Sequence, residues 1–381
     1  MAKYSNNASG GNTDRKMKNR QRTKIIIFII EILIILVMLL VVWKVFQTTD
    51  ETEGPHIVDI EESNIVVNPG VKESLEKEPT SPEEPEPAMK GYWNIALFGV
   101  DATSQKQLYS KSRSDSMMIA SVNMDTGEIK LVSVYRDTYL NKGNDKYGKC
   151  NGAYAAGGAE QAINMLNMNM DLAIKDFVTV GYHAVKECVD GLGGVWIDVD
   201  SAELKHINNY QLSIIRDTDI PKSEYVEVTD TGYQLLNGLQ ATAYCRIRYT
   251  KGDDYKRAER QREVLKAMEE QVKKADLKTL EKLATSVLKY VYTSLDEADI
   301  LELLKNVSNY TIVDEGGFPT EDMRTSDTIG SDGSCVVPLD LEENVMWLHE
   351  FLFGEVDYQV SDSVKEYSDK IEEKTEKYLN N

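Results

Sequence analysis

The 381-residue chain is poor in the residues that build metal clusters and nucleophilic triads, with four histidines and four cysteines. His56, His183, His206 and His349 stand in no motif with serine or cysteine, so no Ser-His-Asp or Cys-His arrangement is visible. Cys150, Cys188, Cys245 and Cys335 lack the close spacing of a zinc site. Their even number permits three disulfide pairings, but their density is far below that of a disulfide scaffold, and small buried thiols are the default. Positive charge is also short: 43 Lys and Arg face 63 Asp and Glu, for a net charge of -20. Such a balance excludes a nucleic-acid coat, which neutralises phosphates with a basic face. Hydrophobic residues make up 41%, enough for a core, so wholesale disorder, collagen and coiled coil are excluded as well. Repeats of solenoid length are absent.

What charge there is lies unevenly. Residues 1–24 hold seven basic side chains against Asp14 alone, and Ile25 to Trp43 is apolar except for Glu31. As a helix that run spans about 28 Å, close to the hydrocarbon core of a bilayer. The basic flank places the N-terminus in the cytoplasm and the rest outside. A cleaved signal peptide would be shorter and end in small residues, whereas Trp43-Lys-Val-Phe46 follows here. Six of the nine prolines fall between 47 and 90, in runs such as Pro82-Glu-Glu-Pro-Glu-Pro87. The predicted layout is therefore a cytoplasmic basic tail (1–24), a transmembrane anchor (25–46) and an acidic Pro-rich linker (47–90), extended and self-repelling. Ile57–Val67 is its one candidate strand. A tail of about 24 residues is too short for a helix-turn-helix unit.

Beyond the linker, Tyr92–Val100, Ser116–Met124 and Ile129–Tyr135 read as strands, the last two joined by the turn Asp125-Thr-Gly127. Gly157–Met168 and Glu259–Lys274 read as helices, with Phe177–Gly181 and Val195–Val199 as strands. Leu235–Ala243 is predicted helical and Tyr244–Tyr249 strand-like. This alternation predicts an α/β fold with a mixed central sheet flanked by helices over 91–275. A helical C-terminal extension, 276–381, follows, ending in the charged amphipathic segment Lys365–Leu379.

Nine arginines lie outside the first 24 residues, and five of them fall between Arg246 and Arg262. On a strand, Arg246 and Arg248 would point to one side; on a helix, Arg257 and Arg260 share a face. Convergent guanidinium groups suit phosphate or carboxylate. An ion-pair network with Asp253, Asp254 and Glu259 is the alternative. Asp101, Arg113-Ser-Asp115 and Arg136-Asp137 all sit at predicted strand ends, where α/β ligand sites gather. Two carboxylates among arginines suit Mg²⁺ bound together with a polyphosphate.

These residues carry a resemblance. Asn94-Ile-Ala-Leu-Phe-Gly-Val-Asp101, Arg113-Ser-Asp-Ser-Met-Met118, Val132-Ser-Val-Tyr-Arg-Asp-Thr-Tyr139, Lys149-Cys-Asn-Gly-Ala-Tyr154 and Val189-Asp-Gly-Leu-Gly-Gly-Val195 occur in order. Leu236-Asn-Gly-Leu-Gln-Ala241, Tyr244-Cys-Arg-Ile-Arg-Tyr249 and Asp254-Tyr-Lys-Arg-Ala-Glu-Arg-Gln-Arg262 follow. Together they resemble the LytR-CpsA-Psr family across roughly 92–265.

The resemblance implies an extracytoplasmic phosphotransferase that moves a glycopolymer, wall teichoic acid or capsular polysaccharide, from an undecaprenyl-pyrophosphate carrier to peptidoglycan. It implies Mg²⁺ on Asp101 and Asp115. It implies pyrophosphate binding by Arg113, Arg136, Arg246, Arg248, Arg257, Arg260 and Gln261, with Lys149 in a substrate loop. Such chemistry needs charge neutralisation and in-line positioning more than a covalent intermediate. Arg136 joins the catalytic set, and Asp137 and Asp254 are the candidate general bases. Tyr135 stands where the family usually has proline, Lys256 where glycine is common, and Cys150 in place of an aliphatic residue. The alternatives are a polyprenyl-pyrophosphate hydrolase and a non-catalytic binder of lipid-linked wall precursors.

Overall fold

The computed structural model describes residues 56–379, other than 62–63, 78–85, 103–104, 110–111, 251–252, 297, 301–302, 304–306 and 308. The predicted basic tail and membrane anchor lie outside the described residues. No helix among the described residues is long and apolar enough to cross a membrane.

The chain enters through β1 (His56–Ile57) and α1 (Pro69–Glu76), then forms β2 (Tyr92–Val100), β3 (Ser114–Asn123) and β4 (Glu128–Val134). The β3–β4 turn forms as predicted. Asn123 Oδ1 accepts from the amides of Asp125 and Thr126, and Gly127 takes φ 75°, where a Cβ would stand 2.6 Å from Asn309 O. A hairpin, β5 (Tyr139–Asn141) and β6 (Tyr147–Lys149), leads into α2 (Asn151–Met170), β7 (Asp176–Val180) and α3 (Tyr182–Gly191). Next come β8 (Val195–Val199), α4 (Ser201–Asp217), β9 (Gly232–Leu236), α5 (Gly238–Tyr244), α6 (Asp253–Val272) and α7 (Leu277–Val287). The last part contains β10 (Val291–Thr293), β11 (Thr311–Phe318), the hairpin β12 (Arg324–Thr328) and β13 (Ser334–Pro338), then α8 (Leu341–Phe353) and α9 (Asp362–Leu379).

The central sheet has the order β1-β10-β7-β2-β3-β4-β11. It is mixed: β1–β10, β7–β2 and β4–β11 run parallel, and β10–β7, β2–β3 and β3–β4 antiparallel. Ala96, Phe98, Met117, Ile119 and Val132 send their side chains into a core shared with Tyr154, Ile163 and Leu166 of α2, Leu348 of α8 and Ile371 of α9. A second core joins α3, β8, α4, β9, α5 and α6 through Val189, Ile197, Ile207, Leu239 and Val264.

Three sequence expectations are corrected. The 47–90 segment is not a spacer throughout. Val71 is 5% exposed in the main core, and Asn68 donates to buried Asp171 at 2.6 Å. Burial of an apolar side chain contributes about 1.5–3 kcal/mol, and Val58, Ile60, Ile65, Val67 and Leu75 pack on the same core, so the segment is held while its charges still face water. Residues 276–381 are not a separate helical extension, because β10 and β11 complete the sheet and α8 and α9 cover it. Lys365–Leu379 accordingly buries one apolar edge, Ile371 and Thr375, beneath its charged surface. Finally, Tyr244–Tyr249 is not a strand. The amides of Cys245, Arg246 and Ile247 bond back to Ala241, Ala243 and Tyr244, so helical turns continue past α5. The four cysteines are free thiols.

Candidate functional site

A cavity of about 280 Å³ opens where β2 and β3 end, walled by Asp101, Asp115, Ser116, Tyr182, Tyr210, Arg246, Arg248, Arg257 and Gln261. Asp101 is there because it follows the last residue of β2. Asp115 owes its place to an irregularity in pairing. Gly99 pairs with Ser116 and Val100 with Ser114, so Asp115 is the extra residue of a bulge. Bulges re-aim a side chain, and this one turns a strand carboxylate into the cavity wall.

The arginines arrive from two elements. The side chain of Asn237 caps α5 with Gln240 in a reciprocal box, and the helix ends in the turn that carries Arg246 and Arg248. Fully buried Ile247 pins that turn between them. From α6, Arg257 donates through Nη2 to the Asp115 carbonyl at 2.9 Å. Gln261, one turn on, accepts from Ser116 Oγ at 2.8 Å.

Arg136 and Asp254 adjoin the cavity. Arg136 donates from Nη1 to Asp115 Oδ1 at 2.6 Å and from Nε to Asp254 Oδ2 at 3.1 Å. Asp254 also meets Arg248 at 3.5 Å and Arg257 at 3.4 Å, so it organises three guanidinium groups. Asp137 pairs with Lys149 at 3.4 Å and reaches Arg136 Nε at 3.7 Å. The ion-pair reading of the arginine cluster thus holds for part of it.

Charge is incompletely balanced here. Burial alone would raise the Asp115 carboxyl, but Arg136 and Arg257 overcome it and hold the group below the usual range. Asp101 is shifted the other way, first by loss of solvent and then by the Asp115 charge. Burial lowers Arg257, and the neighbouring Arg136 and Arg248 charges add to that effect against Asp254. Arg246 Nη1 and Arg257 Nε are buried with no hydrogen-bond partner. Unpaired guanidinium N–H groups at a cavity wall suit an anion.

Of the predicted residues, Asp137 and Lys149 pair with each other outside the cavity lining, and two more stand elsewhere. Arg260 is turned from the cavity and buried, donating to Glu203 Oε1 at 2.6 Å, Ile247 O at 3.2 Å and Thr250 Oγ1 at 2.8 Å. Glu203 closes the N-terminal box of α4 with Asp200 and, being buried, requires a cation. A three-residue step on a helix turns a side chain by about 60°, enough to send Arg257 and Arg260 to different partners. Arg113 is exposed and lies outside the cavity lining. Conversely, Tyr182, Tyr210 and Ser116 line the cavity without having been singled out by sequence. Tyrosine is frequent in this chain, with 20 residues, so no local signal marked those two.

Fold and site together define a mixed α/β protein with an arginine-rich anion cavity, and the chain belongs to the LytR_cpsA_psr family, whose model matches residues 63–336. It is similar to biofilm regulatory protein A of Streptococcus mutans, 29% identical over 242 residues, 59% of this chain and 57% of that protein. It is also similar to the polyisoprenyl-teichoic acid–peptidoglycan teichoic acid transferase TagV of Bacillus subtilis, 26% identical over 224 residues, 58% of this chain and 54% of that one. Each match spans little more than half of the relative's length. Among solved structures, TagT with bound octaprenyl pyrophosphate lipid shares the fold, with a TM-score of 0.51 and 20% identity over 71% of this chain and 94% of that one.

Proposed function

We propose that this protein is a membrane-anchored, extracytoplasmic phosphotransferase that moves a glycopolymer from a polyprenyl-pyrophosphate carrier onto a peptidoglycan hydroxyl. The observation that carries the reading is the cavity in which Arg246, Arg248 and Arg257 converge beside two carboxylates, with two buried guanidinium N–H groups unpaired. The activity in TagV's name and the octaprenyl pyrophosphate held by TagT support it. The polymer is wall teichoic acid or capsular polysaccharide. The apolar run at 25–43 supplies the anchor.

Asp101 and Asp115 fit a divalent cation. Asp115 is the first charge to raise Asp101, a repulsion that a cation would relieve. No group of three or more acidic, His or Cys ligands occurs among the described residues, so water and substrate phosphates would have to complete the shell of a Mg²⁺ ion. When bound, the ion would neutralise developing phosphate charge. Arg246, Arg248 and Arg257 would grip the pyrophosphate, and Arg136 would sit beside the reacting phosphorus. The acceptor oxygen bonds to the glycan-bearing phosphorus as the phosphoanhydride P–O bond breaks, and carrier phosphate leaves. The hydroxyl proton goes to a carboxylate. Asp137 and Asp254, both in contact with Arg136, are the candidates for that role. Lys149, paired with Asp137, steadies it.

The test is transfer from a synthetic polyprenyl-pyrophosphoryl oligosaccharide to peptidoglycan oligomers, followed by mass spectrometry with Mg²⁺ and with chelator. The expected result is metal-dependent sugar-phosphate attachment, abolished in Asp115→Ala and Arg136→Ala. Release of the sugar phosphate to water without attachment would make the protein a hydrolase. Lipid binding with neither outcome would make it a binder.

A further inference from the structure

Tyr182 opens α3 at the cavity wall and is 8% exposed. Its hydroxyl donates to Asp101 Oδ1. Its ring lies 4.6 Å from the guanidinium carbon of Arg246, with the Tyr210 ring 5.3 Å away. One side chain thus touches both a carboxylate and a guanidinium of the site.

The two contacts have different consequences. A donor on Oδ1 fixes the Asp101 rotamer and leaves Oδ2 for another ligand. Hydrogen bonds of this sort to a ligating carboxylate are worth about 10–100-fold in metal affinity. The ring contact holds a guanidinium without neutralising it, because the ring face offers a quadrupole and no net charge. Arg136, Arg248 and Arg257 are each paired with Asp254, whereas Arg246 keeps a buried Nη1 unpaired. In a chain of net charge -20, a cation held by aromatic rings keeps its charge for an incoming anion.

We propose that Tyr182 is a positioning residue with two separable tasks: its hydroxyl orients Asp101 for the divalent cation, and its ring holds Arg246 for the pyrophosphate. This rests on the reading of Asp101 and Asp115 as the Mg²⁺ pair, and it adds a residue outside the charged set. The division of tasks is what the geometry specifies, since removing the hydroxyl alone leaves the ring in place.

The experiment uses the full chain in detergent and two titrations followed by calorimetry: Mg²⁺ into metal-free protein, and inorganic pyrophosphate with chelator present. Tyr182→Phe should weaken Mg²⁺ about tenfold and leave metal-free pyrophosphate affinity unchanged. Tyr182→Ala should weaken both. Circular dichroism and the melting temperature report whether each variant is folded, and the Phe variant changes one oxygen only. If wild type binds Mg²⁺ in a manner lost in Asp115→Ala, while Tyr182→Phe binds it equally well, the inference is overturned and the metal reading stands. If Tyr182→Phe weakens pyrophosphate as much as Mg²⁺, the division of tasks is overturned. If wild type binds no Mg²⁺ either alone or with pyrophosphate present, the metal reading itself fails and the inference falls with it.

Discussion

The guanidinium carbon of Arg324 stands 3.9 Å from the centre of the Tyr255 ring. It is also 4.9 Å from the ring of Tyr135, which meets Tyr255 edge-on at 4.6 Å. These rings are the sequence neighbours of Asp254 and Arg136, whose side chains meet at 3.1 Å. The hairpin β12–β13 thereby braces the charged wall from behind. Tyr135 ties the brace together, its ring meeting both Arg324 and Tyr255.

Arg324→Ala should cost about 1–2 kcal/mol in urea unfolding, the range of a partly desolvated cation–π contact. It should also raise the KM for the lipid-linked donor, by loosening Arg136. An unchanged KM with the stability loss would reduce the brace to a purely structural one.

Arg257 and Arg260 should separate cleanly. Arg260→Ala strands buried Glu203, and breaking such a pair costs about 3–5 kcal/mol, read as a fall in the urea midpoint. Arg257→Ala should abolish pyrophosphate binding in calorimetry. Equal loss of pyrophosphate binding in a folded Arg260→Ala variant would return Arg260 to the site.

Glu263 gives a pH prediction. Burial raises its carboxyl, and the Glu203 charge adds to that, against the hydrogen bond it accepts from the Tyr244 hydroxyl at 2.7 Å. A carboxyl whose folded pKa lies above its unfolded value favours the protonated folded state. Stability from this group therefore falls as pH rises from the unfolded pKa through the folded one. Glu263→Gln, which retains an acceptor, should raise the melting temperature at pH 7, and the gain should vanish below about pH 4, where both forms are neutral.

Asn68→Ala should cost about 1–3 kcal/mol, since it removes the donor to the Met168 carbonyl and one of the donors to the buried Asp171 carboxylate, which keeps its bonds from Ser361. Limited proteolysis should then cut between 57 and 68 before the rest of the domain is touched. Cleavage at the wild-type rate would show that the other contacts of the segment, such as the bonds of Asn64 and Val66 to Asn164, suffice to hold it.

How much of this could be read from sequence depended on range. The strands around Ala96, Ile119 and Val132 and the turn at Gly127 announce themselves by alternation and turn chemistry, the acids Asp101 and Asp115 by their places at strand ends, and the arginines by their clustering. The bulge that aims Asp115 was not legible, because it depends on register with Gly99 and Val100. Nor was the turning of Arg260, which answers to Glu203, 57 residues earlier. Residues 56–77 looked like linker because their composition is polar on average. Only a few side chains, Asn68 and Val71 among them, hold that segment in place. β10 falls within the predicted helical extension because the residues before it are apolar at helical spacing, and pairing with β7 turns the end of that run into a strand.

Asp171 also sets a clock. Its carboxylate meets Asn68, 103 residues before it, and Ser361, 190 residues after it. The Asn68 amide and Ser361 hydroxyl touch across a separation of 293 residues. At about 5–20 residues per second of synthesis, the first of these partners waits roughly 15–60 s for the last. During that interval Val71 has no finished core to enter, and the sheet lacks an edge. The newborn chain should therefore gain its full protease resistance only once residues beyond 361 have emerged.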